Sequence, residues 1–421
     1  MTNHLTLDNG TSIHFHGIRQ HGTNAHDGVV AITQCPVAPN ETITYRWKAT
    51  QYGTSWYHSH FALQPWDGVF GGIVIHGPAS AKYHEDIGIV TLGDWFHNTT
   101  DELYPIARSG ALPPAPQNGL VNGTNKFQNG GEYFVANTKM TKGKRYRIRL
   151  INHSIDMHFK VVLDGHDFEV IATDFVPIKP FPTKVLSIGI GQRLDVIVEA
   201  KADVGNYWLH AVPRCAGTGG NALTGIKGIF RYEGAPETDP TGPEPTISDG
   251  GVNDCFDHPI DKLVPILSLE AGGADHSETF RPGFGNKVWS LGPQSFLTNW
   301  SDPTVEQVLD GDTEFSGPQT VVKLDEEKKW VYFIINSNVG THPIHLHGHD
   351  FWVLAQNTTG AFDPAKHVVR TKDAPRRDVA MLPNGGHLVL GFPTDNPGVW
   401  LMHCHVSFFF FNQLTTYLLD A

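Results

Sequence analysis

Short runs in which apolar and polar residues alternate recur along the chain. They include TITYRWKAT (42–50), GGIVIHG (71–77), RYRIRLIN (145–152), FKVVLDGHDFEVIAT (159–173), RLDVIVEA (193–200) and WVYFIIN (330–336). A period of two sends successive side chains to opposite faces of an extended chain, and β-branched and aromatic residues fit that pleated surface. Gly, Pro, Asn or Asp bounds each run, as turns require. The spacing predicts strands joined by turns, with few amphipathic helices. Several short strands per ~100–150 residues predict an all-β protein of sandwich or Greek-key barrel domains. Composition breaks at HGPASAKYHED (76–86) and at GAPETDPTGPEPTISDGG (234–251). The second stretch has the composition of an exposed connector. The expected domains are therefore 1–80, 81–240 and 241–421.

Composition narrows the class. The 421 residues are 40% apolar and 18% charged, which suits a chain with real cores and not a disordered one. The 44 Gly and 28 Pro favour turns. A net charge of −12 argues against a nucleic-acid partner. No apolar stretch reaches the roughly 18 residues of a membrane span. Four Cys are too few for a disulfide scaffold, and none forms a CxxC zinc site. Seven glycosylation sequons, starting at Asn9, Asn40, Asn98, Asn122, Asn152, Asn299 and Asn357, favour a secreted protein. Yet the opening MTNHLTLDNG has no basic and apolar leader, so the chain is either cytosolic or lacks its true start.

The 24 His carry the candidate chemistry. H-x-H recurs at His14/His16, His58/His60, His345/His347, His347/His349 and His403/His405, within HFHGIRQ, GTSWYHSHFALQ, THPIHLHGHDF and GVWLMHCHV. On a strand, residues i and i+2 face one way, about 6.5–7 Å apart, so each pair offers two imidazoles as a pincer. Imidazoles without clustered carboxylates suit Cu, Zn, Fe or Ni better than hard ions. Without His349, four pincers give eight imidazoles. Two come from the first eighty residues and two from the last eighty, so they meet only if the terminal domains share an interface. Cys404, between His403 and His405, points to the opposite side and can bind a separate metal. A thiolate with imidazoles selects copper. His342 is the natural second ligand for that metal.

These four segments resemble multicopper oxidases, most closely fungal laccases of the ascomycete type. The likeness extends through DGVVAITQCP (27–36), GKRYRIRLIN (143–152), LDGHDFEVIATD (163–174), GQRLDVIVEA (191–200) and RRDVAMLP (376–383). The resemblance implies three cupredoxin-like domains and four coppers: one type 1, one type 2 and two type 3. It implies that His14 and His345 hold the type 2 copper. His16, His58, His60, His347, His403 and His405 would hold the type 3 pair, and His342 and Cys404 the type 1 copper. It further implies oxidation of a small phenol or aromatic amine by O2, and a secreted monomer. Asp156 falls where laccases carry the acid that hydrogen-bonds a phenol hydroxyl, and Asp27 matches an acid beside the type 2 copper. The plain alternative is a solvated loop residue for Asp156 and an Asp-Gly turn for Asp27, the latter compatible with the family role.

The end of the chain departs from the family. In HCHVSFFFFNQLTTYLLDA (403–421), Phe409 stands where a second type 1 His is expected, and Leu414 at the axial position. Two explanations stay open. Phe409 is a genuine substitution that impairs the type 1 site, or the last residues derive from a retained intron beginning at Val406-Ser407. His14 also lies too near Met1 for the family's opening strands, so the first barrel is expected to be incomplete and the chain poorly soluble when expressed alone. The family partner of Cys35 is absent, which leaves Cys215 and Cys255 as an expected disulfide worth roughly 3–4 kcal/mol. Alternative readings are a ferroxidase or ascorbate-type oxidase on the same fold, and a copper-binding pseudoenzyme. His4, His21, His26, His84, His97, His166, His258 and His367 are expected at the surface or hydrogen-bonded, and His349 beside the cluster.

Overall fold

The structure is a computed structural model. It describes the chain except residues 7–9, 110–113, 216–222, 248–253, 286–287, 293–295, 297, 313–314, 316–319, 407–414 and 421, together with the side chains of 107–108, 288 and 415–420. Strands dominate the described residues, and the α-helices among them are Thr100–Arg108 and Thr304–Leu309. No helix there is long and apolar enough to cross a membrane.

A three-stranded antiparallel sheet comprises His14–Phe15, Gly53–His58 and Phe70–Ile75. Residues 85–231 form a six-stranded and a five-stranded sheet closed over one apolar core. A second pair of five-stranded sheets, built from residues 276–420, encloses another. The strands Arg145–Asn152, Arg193–Glu199 and Trp330–Asn336 form where alternation predicts them, and 159–173 becomes His158–Leu163 and Phe168–Thr173 around a turn.

TITYRWKAT (42–50) is a correction. Its side chains do alternate between exposed and half-buried, but among the described residues only a Thr2–Thr42 bridge and two reciprocal hydrogen bonds between Ile43 and Met1 pair its backbone. Side-chain pattern alone does not make a strand; a ladder needs a partner of matching length.

The strand Arg145–Asn152 shows how the parts are joined. Tyr146, Ile148 and Leu150 enter the core. The opposite face is buried as well: Arg147 pairs with Asp195, and Arg149 donates to Thr54 Oγ1 at 2.9 Å. Thr54 in turn donates to Asp195 at 2.6 Å, fastening the first sheet to the six-stranded one. Asn24 clasps the backbone of Val399 at both its amide and its carbonyl. Gln192 reaches the Val379 carbonyl at 3.1 Å. Gly28 has φ +80°, and a Cβ there would lie 1.9 Å from the Ile13 carbonyl, so only glycine lets the chain after Asp27 cross the strand bearing His14.

Cys215 and Cys255 form the expected disulfide, while Cys35 is exposed and free. Among the sequons, Asn152 is buried and donates to the Met157 and Ile188 carbonyls, so it is no glycosylation site in the folded chain. Asn40, Asn98, Asn122, Asn299 and Asn357 are exposed, and Asn9 lies outside the described residues.

Candidate metal centre

Strand register builds the centre from two directions. In the first sheet His14 lies opposite His58, and His16 and His60 follow their strands' ends. In the last sheet His345 lies opposite His403 across the strands His342–Leu346 and Gly398–Cys404. The clasp between the sheets sets these pairs face to face. The His16 and His345 rings stack at 4.0 Å, and the His14 and His347 rings lie 4.1 Å apart. All eight side chains are buried.

Donor atoms group within 4.8 Å of one another as His16, His58 and His405, and as His60, His347 and His403. A third group joins His14, His345 and His16. Two triads plus the His14–His345 pair account for all eight.

Hydrogen bonds fix which nitrogens face inward. A carbonyl only accepts, so a ring nitrogen bonded to one carries its proton. The Nδ1 of His14 donates to the Asp27 carbonyl at 2.8 Å, and that of His345 to the Asp378 carbonyl at 2.7 Å. His58 and His403 donate Nδ1 to the Ser59 and Cys404 carbonyls, each at 2.9 Å. This leaves Nε2 of all four unprotonated. The buried Nε2 atoms of His14, His58 and His345, and Nδ1 of His16, have no hydrogen-bond partner within the protein. His347 Nδ1 meets the Asp27 carboxylate at 2.9 Å, while its Nε2 lies 3.1 Å from Nε2 of His403. Two lone pairs at that distance repel unless a cation sits with them. The site thus fits a metal group, and imidazole donors suit copper. Burial, the largest cause, pushes the His403 pKa down to about 3 and holds His16, His58, His60, His345, His347 and His405 well below the usual histidine range. Neutral imidazoles are the form that ligates.

Cys404 points away from the cluster into the apolar core, as its position between two cluster histidines requires. Its Sγ lies 3.5 Å from His342 Nδ1, and His342 Nε2 donates to the Val339 carbonyl at 2.6 Å. Burial pushes the thiol up to about 12, with the Asp156 carboxylate adding to the rise, so a bound cation is needed to produce the thiolate. Burial lowers His342 to about 4. Phe409 and Leu414 lie outside the described residues.

The two acids are placed differently. Asp27 is buried, its carboxylate against Nδ1 of both His14, at 3.1 Å, and His347. Asp156 is nearly buried, on the Cys404 side. His349 donates to the His347 carbonyl and packs between Phe392 and Trp400, outside the donor groups.

Sequence reasoning missed Asp378. Its Oδ1 lies 3.1 Å from His16 Nε2, its carbonyl holds His345, and Arg193 grips its carboxylate at 2.5 and 2.6 Å. Burial raises its pKa, against the lowering pull of Arg193. An acid between Arg and a strand in RRDVAMLP was the available signal, but nothing in the sequence pairs it with Arg193.

Comparison with known proteins decides the family. Multicopper oxidase family models match residues 1–80, 86–235 and 296–420. The chain belongs to the multicopper oxidase family. It is 44% identical to Laccase-2 of Botryotinia fuckeliana over 429 residues, covering 97% of this chain and 72% of that protein. The laccase crystal structure from Botrytis aclada superposes with a TM-score of 0.92 at 43% identity, covering all of this chain and 79% of that one. Fet3p, a multicopper oxidase that functions in iron import, gives 0.87 at 26% identity, covering 99% and 81%. The multicopper oxidase is therefore an oxidoreductase with copper as cofactor, and its sheets are cupredoxin-like, as the family resemblance implied.

Proposed function

We propose that this multicopper oxidase is laccase-like: it removes single electrons from small phenols or aromatic amines and uses four of them to reduce one O2 to two waters. The separation of eight buried imidazoles into two triads and a pair, with Cys404 facing the other way, carries this reading. The names of two relatives, Laccase-2 of Botryotinia fuckeliana and the laccase of Botrytis aclada, agree with it.

In this reading His14 and His345 hold the type 2 copper, and the His16/His58/His405 and His60/His347/His403 triads hold the type 3 pair. Cys404 and His342 belong to type 1. Copper supplies one-electron redox chemistry at the cysteine and multi-electron reduction of O2 at the cluster. The chain's own residues do the rest. The peptide linking Cys404 to His403 and His405 is a short covalent bridge between the two sites. Asp156 accepts the proton that a phenol sheds on losing an electron. Asp27 and Asp378 orient imidazoles and hold their tautomers. Burial keeps bulk water from the cluster. Residues 1–80, 81–240 and 241–421 serve as three units, with the cluster between the first and third. We further read the protein as a monomer and as secreted; its disulfide and five exposed sequons support secretion.

The deciding experiment combines copper analysis with O2 uptake. About four coppers per chain, intense blue absorption and one O2 consumed per four phenols oxidised are expected. Three coppers without the blue band would favour an oxidase impaired at type 1. No copper, or ferrous iron oxidised in strong preference to phenols, would overturn the laccase reading.

A further inference from the structure

A cavity of about 490 Å³ opens between the first sheet and the six-stranded sheet. Its walls include Trp66, Phe70, Trp95 and Leu120, with Asp94, Thr124, Asn125 and His153 among its polar members. Its described lining includes neither Asp156 nor His342, the residues on the side of Cys404 where electrons are proposed to enter. Its size suits a ligand of one or two rings.

Local structure explains why the space exists. In the strand Glu85–Trp95, Gly93 and Trp95 share a face, and Gly93 pairs with Leu120. A Cβ on Gly93 would lie 2.3 Å from His153 Cε1, so the bare position admits the imidazole. Phe70 stacks on that ring at 4.0 Å.

The polar atoms define what fits. His153 is 6% exposed, and its Nε2 has no hydrogen-bond partner among the described residues. The ring bonds to its own backbone, and burial lowers its pKa to about 4, so it is neutral near pH 7. Asn125 is equally buried. Its Nδ2 donates to Asn118 Oδ1 at 3.0 Å and to the Gly119 carbonyl at 2.9 Å, which fixes Oδ1 as an acceptor, and that oxygen has no partner. Asp94 also lines the cavity, but its carboxylate is already engaged by backbone N–H groups, those of Ile155 and Asp156 each at 2.8 Å and those of Asp94 and Met157 beside them. The described lining thus presents aromatic faces, two acceptors without a partner, a carboxylate already held by backbone N–H groups, and no cationic side chain. Such a lining selects a neutral ring that carries a hydrogen-bond donor.

We propose that this cavity is a second aromatic site that binds a small neutral phenol, its ring against Trp66 and Trp95 and its hydroxyl donating to His153 Nε2.

The test uses 4-cyanophenol, whose nitrile makes one-electron oxidation difficult, at pH 6 with the copper-loaded full chain. Tryptophan fluorescence should show saturable quenching. The ether 4-methoxybenzonitrile, which lacks the donor, should bind about five- to tenfold more weakly, the worth of one hydrogen bond. His153→Phe should weaken the phenol by a similar factor and leave the ether unaffected. Trp95 is 39% exposed, so Trp95→Ala should fold normally and weaken both probes. Asp156→Asn should change neither. Equal affinity for phenol and ether, wild-type binding by Trp95→Ala, or loss of binding in Asp156→Asn would each overturn the proposal.

Discussion

Sγ of Cys404 lies 3.5 Å from Nδ1 of His342, on the far side of the strand whose His403 faces the imidazole cluster. One strand thereby serves two sites. Cys404→Ser removes the soft donor and leaves the eight cluster imidazoles untouched. The expected outcome is loss of the blue absorption and of one copper per chain, with three retained. Metal analysis beside the visible spectrum checks it; a drop to zero would mean that Cys404 also supports the cluster.

Asp27 touches one imidazole of the His14–His345 pair and one of a triad. Replacing such an outer partner of metal-bound histidines typically costs about 10- to 100-fold in affinity or activity. Asp27→Asn should lower O2 uptake or copper retention by that factor. An Asn variant matching the wild type in both would show that the carboxylate has no such role.

The Arg193 guanidinium is fully buried against Asp378. Asp378→Ala leaves that charge without its main counter-ion, a change that costs about 3–5 kcal/mol. Urea unfolding of the copper-free chain should reveal the loss. A loss under about 1 kcal/mol would mean that Asp174, 3.5 Å from Arg193, compensates.

His258 belongs to none of the donor groups and accepts from the Ser187 amide at 3.1 Å. Burial lowers its pKa from 6.5 to about 4. The unfolded chain therefore binds the proton first as pH falls. The stability that His258 contributes is complete above about pH 6.5 and is lost progressively toward pH 4, by about 3 kcal/mol. His258→Gln should flatten the acid slope of unfolding free energy across this window. An unchanged slope would place the titration elsewhere.

Gly28→Ala forces a Cβ into the Ile13 carbonyl at a left-handed backbone position. Strain of that kind costs at least about 1–3 kcal/mol. Because Gly28 follows Asp27, the variant should lose thermal stability and copper together. A normal melting temperature with full copper content would show that the crossing can relax.

The sequence by itself determined most of the chemistry. Spacing of two on strands makes each H-x-H a pincer, and a Cys between two His must face the other way; both follow from local backbone geometry, whatever surrounds it. The same period located strands such as 145–152 and 193–199. It failed at 42–50, where the alternation is real but a ladder of partners is not. Tertiary structure alone decided which pincers meet, since nothing local sets His16 against His345 or splits the donors into two triads and a pair. It also decided that Arg147 and Arg149, the polar positions of an alternating run, are buried against Asp195 and Thr54. Asp378 became visible only with Arg193 beside it. Long-range ion pairs and ring contacts depend on how separate sheets dock, and that information is spread over the whole chain and carried by no single segment.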